Sequence, residues 1–308
     1  MRKILGLEAL DAPLERSVVT IGKFFAVHRG HQALLRATVE AARRQDAPAA
    51  VLTFDRHPLE ILRPGLQLPL LAGLDERLDL MEREGLDVAV VARVTPEFLS
   101  LEPEEFVRSV LVKQLGAVEV LAGEYFRFGK GARGSLETLE ALGRSWGFRC
   151  TRVAPVLEGG ERISSSRVGE CVKAGEVAMA ARLLGRPYSV PGVVEPGEQL
   201  GRKLGFPTAN VRTPPDRLLP ADGVYVAQLR RAGECLPGAA NLGFRPTVNG
   251  RERLLEVHLL DWSGDLYGEE VRVEFLERLR GEERFPDLEA LRMQIGRDVD
   301  EARRYFRA

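Results

Sequence analysis

The sequence predicts two domains of different class: an α/β domain built on a parallel sheet, then a small antiparallel β-barrel with a C-terminal helix. Three observations predict this. The first half alternates short, β-branched apolar runs with amphipathic helical stretches, the pattern of a parallel sheet covered on both faces. Past Gly185-Arg186-Pro187 the pattern changes to short strands separated by Gly and Pro turns, which suits a small barrel. The 308 residues are enough for two domains of ordinary size. The boundary is therefore set at 185/186, giving domains of residues 1–185 and 186–308.

Taken in order, Ser17–Ile21 reads as the first buried strand. A helix follows, because Leu34, Ala37 and Ala41 recur at helical spacing. Further strands are expected at Ala49–Phe54, Asp87–Val91, Val118–Ala122 and Phe148–Val153, with helices near Leu74–Glu84, Glu104–Leu115 and Leu136–Trp146. An alanine-rich helix over Glu176–Leu184 is stopped by Gly185 and Pro187. In the second half, strands are expected at Val190–Glu195, Val224–Arg230, Leu254–Leu260 and Val271–Leu276. A last helix begins near Asp287, with Leu288, Leu291, Ile295 and Val299 as its apolar stripe.

Composition narrows the function. Hydrophobic residues make up 44% and charged residues 29%, as in a globular soluble chain. Lys plus Arg (44) balance Asp plus Glu (45), so no broad nucleic-acid surface is expected. Cys150, Cys171 and Cys235 are widely spaced, without a CxxC pair. They read as reduced thiols of a cytoplasmic protein. Neither a signal peptide nor a membrane span is apparent. No internal repeat is seen, and self-association into a homo-oligomer is left open.

Ligands of parallel sheets bind beyond the carboxyl ends of the strands, and four motifs fall there. His28-Arg29-Gly30-His31 stands at a helix start, where two imidazoles, free backbone N–H groups and the helix dipole suit a phosphate. Thr53-Phe54-Asp55-Arg56-His57-Pro58 follows a strand directly. Gly123–Gly134, with Arg127, Lys130 and Arg133 among glycines, suits an anion-binding loop or a solvated turn. Ile163-Ser164-Ser165-Ser166-Arg167 offers hydroxyls that can cap a helix and bind phosphate. Any one of these has a bland reading as a turn or a cap. Three of the four histidines in the chain, however, lie in these motifs.

The second half centres on Gly201–Asn210. Pro207 fixes its own φ and pushes Phe206 towards an extended conformation. In an extended segment Thr208 and Asn210 point to one side, a hydroxyl and an amide oxygen suited to Mg²⁺ carrying nucleotide phosphates. Gly201 and Gly205 would leave room for a phosphate, with Arg202 and Lys203 nearby. Along Leu254–Leu260, alternation puts Glu256 and His258 on one face, with Leu255, Val257 and Leu259 on the other. A carboxylate in so apolar a strand is a candidate general base.

These motifs carry a resemblance. The first-half set, with Thr95-Pro96-Glu97-Phe98 and Pro103-Glu104-Glu105-Phe106-Val107, resembles the N-terminal domain of the prokaryotic bifunctional riboflavin kinase/FMN adenylyltransferase (FAD synthetase) family. That domain is similar to nucleotidyltransferases with a HxGH signature, a Rossmann-like fold. The second half resembles the riboflavin kinase domain. Pro207-Thr208-Ala209-Asn210, Glu256-Val257-His258, Asn241–Thr247, Asp265-Leu266-Tyr267-Gly268 and Leu279-Arg280-Gly281-Glu282 carry that match.

The resemblance implies two reactions. In the first domain His28 and His31 would steady the ATP phosphates while the FMN phosphate attacks the α-phosphorus. Ser164 and Arg167 would contact the nucleotide, and His57 and Arg127 the flavin. In the second, a six-stranded barrel would hold Mg²⁺-ATP on one side and riboflavin on the other. Gly201, Lys203, Gly205, Thr208 and Asn210 would bind the nucleotide, with Thr208 and Asn210 also holding the metal. Glu256 would take the proton of the terminal ribityl hydroxyl, and Arg280 and Phe285 would lie near the flavin.

The sequence also departs from this pattern. The family's Phe-Asp-Gly-Val-His reads Phe24-Phe25-Ala26-Val27-His28 here. Tyr125 stands where an Asp or Asn is expected, and Gly169 where an arginine closes the serine motif. These differences concentrate in the expected first-domain pocket. They leave open whether adenylyl transfer is weakened or whether Tyr125 or Lys23 takes over the lost contacts. The alternatives are a riboflavin kinase whose first domain is a scaffold, and a non-catalytic flavin or nucleotide binder acting as a regulator. Intact Thr208, Asn210 and Glu256 speak against the last, because a binder needs no base.

Overall fold

The structure is a computed structural model and describes residues 1–197, 200–247 and 250–307. The chain divides into two compact units, Met1–Ser165 and Ser166–Ala308.

In the first unit the elements run β1 (Arg2–Leu5), β2 (Ser17–Ile21), α1 (Arg29–Arg44), β3 (Ala49–Phe54), α2 (Pro58–Leu62), α3 (Leu74–Arg83) and β4 (Val88–Ala92). They continue with α4 (Pro96–Ser100), α5 (Pro103–Phe106), β5 (Ala117–Gly123), α6 (Leu136–Trp146), β6 (Arg149–Val153) and a small hairpin of β7 (Leu157–Glu158) and β8 (Glu161–Arg162). The main sheet has the order β1-β4-β3-β2-β5-β6, and every neighbouring pair in it is parallel. Period-two alternation splits its side chains between two cores. Val18, Val51, Ala89 and Leu121 pack with Leu35 and Val39 of α1 and Leu78 and Met81 of α3. Val19, Ala50, Leu52 and Val120 pack on the other face with Phe106, Leu111, Leu136 and Leu139. From β2 the chain winds outward one way through β3 and β4, then returns to place β5 on the other side. That reversal puts the ligand crevice at the carboxyl ends of β2 and β5.

Two details differ from the sequence expectation. The edge strand β1 was not expected. Its burial pattern leaves only Ile4 inside, and Arg2 and Lys3 hide it among polar residues. The helix expected over Glu104–Leu115 is the α-helical turn α5 followed by a π-helix over Val107–Gln114, where the Leu115 N–H reaches back to Val110 O at 2.9 Å.

The second unit opens with α7 (Ser165–Ala174) and α8 (Val177–Leu184), followed by β9 (Tyr188–Glu195), α9 (Leu200–Lys203), β10 (Ala209–Arg212), β11 (Gly223–Arg231), β12 (Glu234–Thr247), β13 (Gly250–Leu259), β14 (Glu270–Arg280) and α10 (Leu288–Arg307). The six strands close a barrel in the order β10-β13-β12-β11-β14-β9. Two of them, β10 and β12, lie beyond the four strands read from the sequence. α8 packs against β9 and β14, so the compact unit begins ahead of the sequence boundary at 185/186.

Val211, Ala240, Leu242, Leu255, Val257, Tyr225, Val273 and Phe275 are buried and fill the barrel. On its outer face Val226 and Ala239 pack with Val299 and Ala302 of α10, joined by Ile295. Leu288 was expected on that stripe but is 61% exposed. It occupies the first turn of α10, outside the cluster that buries Val299.

Candidate functional site

Each unit holds a candidate site of its own. In the barrel, β13 brings Glu256 to the outer face because Leu255 and Val257 are spent on the core. Register sets Glu256 opposite Asn210 of β10 on one side and opposite Asn241 of β12 on the other. Cross-strand partners share a face, so the carboxylate stands between two amides.

A cleft of about 680 Å³ opens there, lined by Thr208, Glu256, His258, Arg280, Phe285 and Asp298 among others. A second cleft of about 470 Å³ is lined by Arg202, Thr208, Asn210, Trp262, Asp265 and Tyr267 among others. Thr208 belongs to both walls. The sequence-derived Thr208, Glu256, Arg280 and Phe285 thus meet in one cleft, and Thr208 and Asn210 in the other. Of the Asn241–Thr247 motif, the side chains of Arg245, Pro246 and Thr247 lie outside the described ones.

The loop carrying Thr208 is held by its own contacts. α9 ends in a turn in which Gly205 takes φ +89° and the Phe206 N–H bonds Gly201 O at 2.8 Å. A Cβ on Gly201 would lie 2.4 Å from Phe206 O and 3.3 Å from Thr208 Oγ1. Gly201 therefore lets the chain fold back on itself. Gly205 has open space around it, and its role is the left-handed turn. Lys203 is exposed and lines neither cleft. His258 Nδ1 lies 2.8 Å from Pro207 O, a hydrogen bond in which the ring donates, and Phe206 packs edge-on against that ring at 5.6 Å. Strand alternation places His258 on the Glu256 face, but the clamp itself joins residues 51 apart and is not legible in the sequence.

The donor set fits a hard cation. Thr208 Oγ1 and the Asn210 amide oxygen are neutral oxygen ligands of the kind Mg²⁺ accepts beside phosphates and water. Glycine makes room for the amide: a Cβ on Gly197 would lie 2.8 Å from Asn210 Oδ1.

Arg280 is fixed by a residue that sequence reading missed. Its guanidinium donates to both oxygens of Asp298, at 2.8 to 3.1 Å. Gln294 adds a bond to Asp298 at 2.9 Å. The Arg280 guanidinium carbon lies 5.6 Å from the centre of the Phe285 ring. A signal existed: Asp298 stands three residues after Ile295 on the packed side of α10, where a carboxylate requires a partner.

In the first unit His28 caps α1, its Nδ1 accepting the His31 N–H at 3.2 Å. The two rings stack at 3.6 Å, and Phe24 meets His31 edge-on at 4.9 Å. Phe24 and Val27 hold φ of 49° and 42°. Left-handed backbone at two bulky residues stores strain of about 1–3 kcal/mol each, a feature that clusters at ligand sites.

At the adjoining ends of β2 and β3, Arg77 is almost wholly buried and donates to Lys23 O and Phe54 O at 3.0 Å each. Phe25 covers that guanidinium at 5.0 Å and lies 5.2 Å from the His57 ring. Burial lowers the pKa of Arg77 to about 10, against an opposing effect of Asp55.

The other expected residues are more dispersed. Arg127 is exposed. In the same loop Lys130 and Arg133 pair with Glu102 at 3.4 and 3.7 Å. Ser164 falls in the first unit and Arg167, on α7, in the second. Among the departures, Ala26 is 1% exposed, so its methyl group faces protein. Its φ is not positive, so the residue expected to be glycine carries no backbone strain. Tyr125 is 63% exposed, with Arg162 stacked on its ring at 4.3 Å. A Cβ on Gly169 would make only an ordinary contact with Leu218, at 3.9 Å.

His57 yields a pH prediction. Burial first, then the charge of Lys23, hold its imidazole at about 4 instead of the ordinary 6.5. The unfolded chain then binds a proton that the folded chain refuses. This contribution to stability is complete above pH about 6.5 and is lost as pH falls towards about 4. Lys23, Asp55, Arg56 and Arg77 are the charged groups on the segments around it. His57→Asn keeps an acceptor for the Leu59 N–H that His57 caps. Melting curves of the variant are expected to fall less steeply than the native ones across that window. Equal slopes would remove His57 as a cause.

Comparisons with known proteins agree with this layout. A riboflavin kinase family model matches residues 184–306, and an FAD synthetase family model matches residues 11–167. The bifunctional riboflavin kinase/FMN adenylyltransferase of Escherichia coli K12 is 40% identical over 308 residues, covering 99% of this chain and 98% of its own. The protein of the same name from Bacillus subtilis 168 is 33% identical, with 94% and 93% covered. Among solved structures, one titled a macrolide-efflux protein from Streptococcus pneumoniae superposes with a TM-score of 0.90 at 30% identity, covering 98% of this chain and 99% of that one. Among the described residues of the present chain, no helix is long and apolar enough to cross a membrane.

Proposed function

Because the chain belongs to the family of bifunctional riboflavin kinase/FMN adenylyltransferases, we propose that its barrel unit phosphorylates riboflavin to FMN and its α/β unit adenylylates FMN to FAD, both with ATP. The observation that carries the kinase reading is Thr208, which lines two clefts at once while Glu256 faces one of them. A phosphoryl transfer needs the attacking oxygen and the γ-phosphorus in line and in contact, so donor and acceptor enter from two clefts that meet at Thr208, with a base on the acceptor side.

Riboflavin occupies the larger cleft, its ring system towards Phe285 and Arg280 and its ribityl end towards Glu256. The nucleotide occupies the smaller cleft along Thr208 and Asn210. Glu256 accepts the proton of the terminal hydroxyl as that oxygen attacks the γ-phosphorus and ADP leaves. Thr208 and Asn210 would hold Mg²⁺, whose charge offsets that of the phosphates. Arg280, oriented by Asp298, keeps the acceptor in place, and His258 keeps Pro207 and hence Thr208 against β13.

In the α/β unit the FMN phosphate attacks the α-phosphorus of ATP and pyrophosphate leaves. His28 and His31 donate to the triphosphate at the start of α1, where the helix dipole favours negative charge. Ser164 and Arg167 are assigned to the nucleotide, and His57 and Arg127 to the flavin. The buried methyl group of Ala26 supports retained adenylyl transfer, since it occupies no open path. The two domains of this cytoplasmic enzyme follow the compact units, so α7 and α8 go with the barrel and the sequence boundary at 185/186 falls inside the second unit.

The test is to incubate the full chain with riboflavin, ATP and Mg²⁺ and separate the products by chromatography. FMN followed by FAD is expected, each at rates of roughly 1 s⁻¹ or above. FMN without FAD would leave the kinase reading standing and overturn the second activity. Unchanged riboflavin would overturn both and favour a binding protein.

A further inference from the structure

The sharpest unused feature is a pair of donors that face each other. His57 Nδ1 accepts the Leu59 N–H at 3.1 Å. A neutral ring can accept at only one nitrogen, so its proton sits on Nε2. That Nε2–H lies 3.4 Å from Lys23 Nζ, which is also a donor. Two donors at this distance cannot satisfy each other. What they share is an affinity for an oxygen acceptor placed between them.

The surroundings sharpen the point. Among the described residues no carboxylate pairs with Lys23, and Asp55 is engaged with Arg56 and with the Val94 N–H. The backbone beneath is pinned, because Lys23 O accepts from Arg77 at 3.0 Å and from Thr53 Oγ1 at 3.3 Å. Lys23 itself is solvent-accessible, so a ligand can reach it. The surrounding protein lowers its pKa by desolvation, a cost that an arriving anion relieves.

We propose that Lys23 Nζ and His57 Nε2–H form an anion subsite that takes the phosphate monoester of the FMN acceptor. The proposal rests on the adenylyltransferase reading of this unit. Adenylyl transfer brings together two anionic reactants, a triphosphate and a phosphate monoester. His28, His31 and the start of α1 form one set of donors, assigned to the triphosphate. Lys23 and His57, at the ends of β2 and β3, form a second set, which answers to the acceptor. Lys23 is thus a specificity-determining residue: it selects a phosphorylated flavin over riboflavin. It also supplies positive charge beside Phe25, where an acid was expected.

Two measurements on the full chain test this. In initial-rate kinetics of FAD formation, Lys23→Met is expected to raise KM for FMN about 10-fold or more, the scale of one charge-assisted hydrogen bond. KM for ATP and kcat should stay within about two-fold, and Lys23→Arg should restore most of the loss. A rise in KM for ATP with KM for FMN unchanged would overturn the assignment. The second measurement does not need turnover. Nitrogen-15 spectra of the imidazoles should show His57 as the Nε2–H tautomer, and inorganic phosphate should shift its Nε2 resonance in the native protein but not in Lys23→Met. An Nδ1–H tautomer, or no response to phosphate, would overturn the subsite whether or not FAD is made. Absence of FAD from the native protein, with the phosphate response intact, would sink the adenylyltransferase reading alone.

Discussion

Glu256→Gln is expected to lower riboflavin phosphorylation about 10²-fold or more, the scale of a general base, while the melting temperature stays near the native value. The change keeps the shape of the side chain and removes its charge and its capacity to take a proton. The fold should tolerate it, because β13 contributes to the core through Leu255 and Val257, whose side chains point away from Glu256. An amide between Asn210 and Asn241 in register can still hydrogen-bond to either neighbour. Steady-state FMN formation measures the loss. Conversion of supplied FMN to FAD, which belongs to the other unit, should be unaffected. Turnover close to native would strip Glu256 of its assigned role and leave it as a positioning residue for the cleft wall.

Asp298→Ala should destabilise the barrel unit by about 3 kcal/mol, the lower part of the range for breaking a buried ion pair. Only 6% of the Asp298 side chain and 16% of the Arg280 side chain are exposed. Removing the carboxylate strands a guanidinium that has little water to turn to. In a unit of this size the melting temperature should fall by roughly 10 °C, read by scanning calorimetry. Replacing both partners with apolar residues, Arg280→Met with Asp298→Leu, should recover most of that stability without recovering riboflavin affinity. If the single variant melts like the native protein, the pair is not holding β14 to α10. If the double variant binds riboflavin normally, Arg280 has no part in the larger cleft.

The readable part of the molecule was the part governed by local periodicity. The strands at Ser17–Ile21 and Ala49–Phe54 are continuous apolar runs, and their bounds in the structure are those expected. β12 escaped because Pro237, Gly238, Ala239 and Ala240 carry little strand propensity. Pairing with β11 and β13 on either side makes it a strand. The site divides in the same way. Thr208, Asn210 and Glu256 were legible because strand alternation alone decides which way they point. The hold of Asp298 on Arg280 and the facing of Lys23 and His57 were not. Both join segments far apart in sequence, and only the closing of α10 onto β14 or the parallel pairing of β2 with β3 makes them neighbours.

In the barrel every strand is bonded on both flanks, and this decides where the molecule can give way. Leu255, Glu256 and Val257 of β13 are paired with β10 on one side and β12 on the other, so the carrier of Glu256 is held on both flanks. Thr208 sits just ahead of β10, on a stretch tethered by the Phe206 bond to Gly201 and the His258 bond to Pro207. The opening that admits nucleotide and lets ADP go is expected at residues 200–208, outside the paired stretch of β13 that carries Glu256. Deuterium uptake should be early at Leu204 and Gly205, and at Leu255 and Val257 should wait for global unfolding. Early uptake at Leu255 would mean that the circumference itself opens during turnover.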